Sequence, residues 1–160
     1  MSVLKSKRSE SKFEPITYSV EIHNMLREFM QRNFGLKDLD KWVRNHNMEA
    51  RPLEDEYHKY RYLMYTHKKE IDRLAALMTS NVRTANSIYP KKISELDRRR
   101  LYQDNAIGNC ESILKELMQV VDTFEVDVNT YKKYVIAIDR EIDLIKKWRQ
   151  RDNKMHSYLQ

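Results

Sequence analysis

Two glycines, three prolines and one cysteine are all that 160 residues contain of these types, and each scarcity removes a class of fold. Hairpins and β-sandwiches need turn residues at short intervals, which this chain does not supply. A single cysteine, Cys110, excludes an internal disulfide framework and points to a reducing compartment. It falls on an apolar stripe and reads as a small buried hydrophobe. No apolar run approaches the length of a membrane span, and the basic start MSVLKSKRSESKFEP is followed by no apolar segment of signal-peptide length. The expectation is a cytoplasmic protein with no membrane contact.

Charge and helical period are what the chain has in quantity. Its length suits one domain with a respectable core, and its composition, rich in charge and poor in turn residues, reads as almost all helix. The formal net charge of +6 favours an anionic partner, although the placement of the cations matters more than their excess.

Residues 1–14 are polar and basic (Lys5, Lys7, Arg8, Lys12) without a period, and read as a flexible arm ahead of one helical domain over 15–160. From Pro15, the apolar residues Ile22, Met25, Leu26, Phe29 and Met30 predict a first helix that Gly35 stops. Residues 35–52 mix charges with Trp42 and Val43 and read as an irregular connection with room for a short helical turn. Pro52, followed by Glu54, Asp55 and Glu56, opens a second helix. Its stripe runs through Tyr57, Tyr60, Met64, His67, Ile71, Leu74, Met78, Val82, Ala85 and Ile88 to Pro90, about 50 Å at the usual rise.

Ser94 and Asp97 resemble a capping box for a third helix. That helix carries Ala106, Cys110, Ile113, Leu117, Val120 and Phe124 on its seam. Asp127 or Asn129 offers an N-cap for a fourth, with its seam at Tyr131, Val135, Ile138, Ile142, Ile145 and Trp148. Four amphipathic helices with mostly short connections predict an all-α, up-down-up-down four-helix bundle.

That topology brings the start of the first helix, the end of the second, the start of the third and the end of the fourth to one pole. The candidate nucleic-acid contacts gather there: Lys91, Lys92, Arg98, Arg99 and Arg100 at the second turn, and Lys146, Lys147, Arg149, Arg151 and Lys154 at the chain's end. Cations in the last turn of the fourth helix complement its dipole, and Arg100 has Asp104 one turn on as a partner. Cations at the start of the third helix oppose its dipole. The seam extended backward from Ala106 also puts Gln103 and Arg99 on the inward line. An arginine there needs an anion, an acidic neighbour or an opening at the bundle end. Nucleic acid would satisfy such a pole, with phosphates on the cations and bases stacked on Tyr89, Tyr102, Trp148 or Tyr158. An acidic protein surface is the alternative.

The five histidines form no HExxH and no pair at a spacing of three or four, so neither a metal nor a cofactor is expected. There is no glycine-rich phosphate loop and no nucleophile elbow, and an enzyme is not expected. The segment YHKYRYLMY turns Tyr62 or Tyr65 outward, with Arg61 between the tyrosines, and suggests a protein interface.

The basic start KSKRSESK, the helix end LMTSNVRTANSIYP, the run RRRLYQDNAIGNCESILKELMQVVDTFEVDVNTYKKYV and the close IDREIDLIKKWRQRDNK resemble the accessory variability proteins of diversity-generating retroelements. These are related to the four-helix-bundle proteins encoded in ribosomal-RNA intervening sequences. The resemblance implies a basic homopentameric barrel with no catalytic residues, which binds RNA and DNA. It also implies association with a reverse transcriptase during mutagenic cDNA synthesis. By the same resemblance the cations at 91–100 and 146–151 would meet nucleic acid or the polymerase. The competing expectation is a structural helical oligomer whose basic pole docks on an acidic protein.

Overall fold

A computed structural model describes residues 13–47 and 49–159; the arm cations Lys5, Lys7, Arg8 and Lys12 lie outside the described residues. Five α-helices and three short 3-10 turns account for most of these residues, and no strand occurs among them. The helices are α1 (Glu14–Gln31), α2 (Leu39–His46), α3 (Leu53–Ser87), α4 (Ile93–Phe124) and α5 (Lys132–Asn153).

The connection over 35–52 corrects the sequence reading, because it contains α2. Asp38 Oδ1 accepts the Lys41 amide at 2.9 Å and caps this helix. Leu39, Trp42 and Val43 supply one inward face at spacings of three and four. Trp42 stacks on His46 and meets Tyr60 and Phe124 edge-on, which joins α2 to α3 and to the end of α4. Between α1 and α2, Asn33, Phe34 and Gly35 all have left-handed φ. The Phe34 ring is fully buried against Phe29, and its carbonyl accepts the Tyr131 hydroxyl at 3.3 Å. Tertiary contact thus holds a bulky residue in a conformation that it rarely adopts.

The seams of the long helices fold as their periods demand. Ile22, Leu26, Ile71, Leu74, Met78, Ile113, Leu117, Ile138 and their neighbours form one main cluster. Val82, Ala85, Ala106, Ile145 and Trp148 form a smaller one toward the α5 end. α3 packs along both α4 and α1, and α5 packs along both α4 and α1. Each of these neighbours runs antiparallel. His23 and Arg27 reach Asp72, whereas Asn33 takes Lys68; Gln103 bonds Asp152, and Phe13 meets Trp148 edge-on.

Two expected caps move. Lys92 is the N-cap of α4, and Glu95, not Ser94 with Asp97, closes its start: Glu95 Oε2 accepts the Lys91 and Lys92 amides at 2.7 and 3.3 Å. The longer glutamate reaches back where aspartate cannot, as capping boxes prefer. Asp127 caps the 3-10 turn Val128–Thr130 ahead of α5, with its Oδ1 accepting the Asn129 amide at 3.0 Å.

No helix among the described residues is long and apolar enough to cross a membrane.

Candidate nucleic-acid interface

Arg99 is the hub of the end where α1 and α4 start and α3 and α5 finish. Its Nε lies 2.9 Å from Asp152 Oδ2, a charge contact rather than an aligned hydrogen bond. Its Nη1 donates to the Ile88 carbonyl at 3.1 Å, and the guanidinium lies over the Trp148 ring at 4.8 Å. Gln103 Nε2 donates to the same Asp152 oxygen at 2.8 Å. The inward arginine has therefore found an acidic neighbour. Burial lowers the Arg99 pKa, and the Asp152 carboxylate opposes that shift. Asp152 sits one turn beyond Trp148 on the α5 seam, a carboxylate at an inward position in a basic segment. That position was the available sequence signal for this partnership.

Two further predicted contacts are also engaged within the chain. Arg100 bonds Asn153 and lies 3.7 Å from Asp97, whereas Arg149 takes Asp104. The expected Arg100–Asp104 pair is thus replaced by one that ties α5 to α4. The other seven residues behave differently. Lys91, Lys92 and Arg98, at the α4 start, are exposed, as are Lys146, Lys147, Arg151 and Lys154 on or just beyond the last turns of α5. None has an ion pair among the described residues. Lys147, Arg151 and Lys154 line an open groove of about 710 Å3 between the start of α1 and the end of α5. Among the described residues Glu14 is the one carboxylate on its wall, and Arg140 holds it at 2.9 Å.

The four aromatic candidates separate by burial. Trp148 is 3% exposed beneath Arg99 and Phe13, and Tyr102 packs against the smaller core cluster. Tyr89 and Tyr158 are 80% and 86% exposed. Tyr62 and Tyr65, the candidate protein-interface residues, stand 66% and 57% exposed along α3, away from this end; Lys69 lies over the Tyr65 ring at 5.9 Å. Arg61, expected to serve that surface, is turned to Asp40 at 2.7 Å.

Two titratable groups elsewhere are settled inside the fold. His67 Nδ1 meets Glu116 Oε2 at 3.0 Å, a satisfied interhelical pair. Cys110 is buried with its sulfur 3.3 Å from Met78 Sδ, and burial pushes its thiol pKa far up. No cluster of three or more metal-ligating side chains occurs among the described residues. Comparison of the chain with family models, curated proteins and solved structures finds no match.

Proposed function

We propose that the chain is a non-catalytic accessory subunit that binds nucleic acid through the end built around Arg99. The single observation that carries this reading is the set of seven exposed cations without an ion-pair partner among the described residues, drawn from the start of α4 and the end of α5. At the α4 start the helix dipole opposes Lys91, Lys92 and Arg98, and Glu95 is the one acid in the first turn. A phosphate backbone laid across both helix ends relieves that repulsion and releases counterions. The resemblance to accessory variability proteins supplies the setting: template RNA and cDNA, in company with a reverse transcriptase, in a diversity-generating retroelement. In the same reading α1, α3, α4 and α5 are the members of an up-down-up-down four-helix bundle. Subunits then assemble as a homopentamer, and Tyr62 and Tyr65 face another subunit or the polymerase.

RNA binding followed against salt tests the proposal. The informative variant is Lys91→Ala/Lys92→Ala/Arg98→Ala, because Arg99 and Arg100 also hold the fold together. Wild type is expected to lose affinity steeply as salt rises, and the variant to bind more weakly with a slope of log K against log salt flatter by about 2. Unchanged slope and affinity would remove these residues from the interface. Absence of binding by both proteins would favour the acidic-protein reading, and a polymerase pull-down insensitive to competing RNA would then support it.

A further inference from the structure

The connection from α3 to α4 holds an exposed aromatic on a fixed backbone. Tyr89 is 80% exposed and has no hydrogen bond or ring contact with any described residue. Its neighbours are pinned on both sides. The Ile88 side chain is buried, its amide donates to the Ala85 carbonyl at 3.3 Å, and its own carbonyl accepts from Arg99 Nη1. Pro90 follows with its φ set by the ring, and the next two amides both donate to Glu95 Oε2. Arg99, which anchors this connection, is itself fixed by Asp152 and by the Trp148 ring. A bulky ring is thus presented to solvent from a backbone with little freedom left to lose on binding. Tyr158 is as exposed, but the bonds on its turn are local, among them those from its amide to the Met155 carbonyl and from Ser157 Oγ to the Lys154 carbonyl, whereas Arg99 ties the Tyr89 connection across helices.

Three cations with no ion pair among the described residues, Lys91, Lys92 and Arg98, lie within nine residues of this ring along the pinned connection and the first turns of α4. Phosphate contacts alone do not distinguish strands from duplexes. A flat ring beside them does, because a duplex buries its base faces in its own stack, whereas an unpaired strand offers a face at every nucleotide.

We propose that Tyr89 is a stacking platform for an unpaired base, which makes single-stranded nucleic acid, rather than duplex, the ligand of this end of the molecule. The inference rests on the nucleic-acid reading above and specifies its substrate class. Stacking on one aromatic contributes roughly tenfold in affinity per base. The cations on either side hold the flanking phosphates and keep the strand over the ring.

Fluorescence anisotropy tests this with a labelled, unstructured oligonucleotide of mixed sequence and its blunt duplex, each titrated at the same series of salt concentrations. The proteins are wild type, Tyr89→Ala and Tyr89→Phe, with thermal melts to show that each folds alike. Wild type is expected to bind the single strand more tightly than the duplex. Tyr89→Ala should lose about tenfold on the single strand and nothing on the duplex, with its salt slope unchanged, and Tyr89→Phe should keep wild-type binding. Equal wild-type affinity for the two ligands, or full single-strand affinity in Tyr89→Ala, overturns the platform while leaving phosphate binding intact. Failure of wild type to bind either ligand overturns both the platform and the reading beneath it.

Discussion

Glu141 is the residue that the fold treats most harshly. It lies on α5 where the main core cluster, with Ile142, gives way to the smaller one, with Ile145. It is fully buried, and neither carboxylate oxygen has a hydrogen-bond partner among the described residues. Burial, reinforced by Glu14 and partly opposed by Arg140, pushes its pKa up to about 8. Folded chains therefore keep this proton across a range in which unfolded chains have released it. Stability falls as pH rises from the ordinary glutamate range toward 8, by at most about 1.4 kcal/mol per pH unit for one proton, and levels off above. Urea unfolding at a series of pH values should reveal the decline. Glu141→Met should flatten it and raise the melting temperature at pH 8.5 by about 5 °C or more. Parallel curves for the two proteins would show that the carboxyl reaches water or a partner.

Among the elements, α4 has its start closed by one residue. Glu95 satisfies two amides that precede the helix, and those bonds hold its carboxyl below the ordinary glutamate range. This contribution is present above the unfolded pKa and is lost as pH falls through the folded one. Glu95→Ala should speed amide hydrogen exchange at Lys91 and Lys92 while leaving the middle of α4 protected. Exchange that is unchanged at both amides would mean that the cap lies elsewhere. The seams of α1, α3, α4 and α5 were legible in the sequence because their apolar residues recur every three or four positions over several turns. α2 was not, because its eight residues give Trp42 and Val43 too short a run to establish a period. The caps failed for a related reason: Ser94, Glu95 and Asp97 all qualify chemically, and the reach of one side chain decides among them. At the candidate site the sequence located the cations and the inward line through Gln103 and Arg99. Asp152, Asn153 and Asp104, which occupy three of the arginines, are contributed or met across helices. No local spacing announces such pairs, apart from the seam position of Asp152.

At the scale of the whole molecule, the chain has different chemistry at its two ends. Acidic residues Asp40, Glu49, Glu56 and Glu125 hold Arg61, Arg51 and His46 at the end occupied by α2. The end built around Arg99 leaves seven cations for solvent or a partner. Only two tryptophans are present, and they are divided between these ends. Trp42 lies flat on His46 near Tyr60 and Phe124, whereas Trp148 lies under Arg99 and against Phe13. The stretch of α3 from Tyr60, beside Trp42, to Val82, in the cluster of Trp148, is roughly 35 Å of helix and separates the two regions. Intrinsic fluorescence thus has a separate emitter at each end of the protein. In a Trp42→Phe variant, emission should shift in intensity when an oligonucleotide binds; in Trp148→Phe it should stay constant through the same titration. Equal responses would place the ligand elsewhere. The stacking of one indole under a guanidinium and the other on an imidazole makes the chain its own optical gauge, readable without a label.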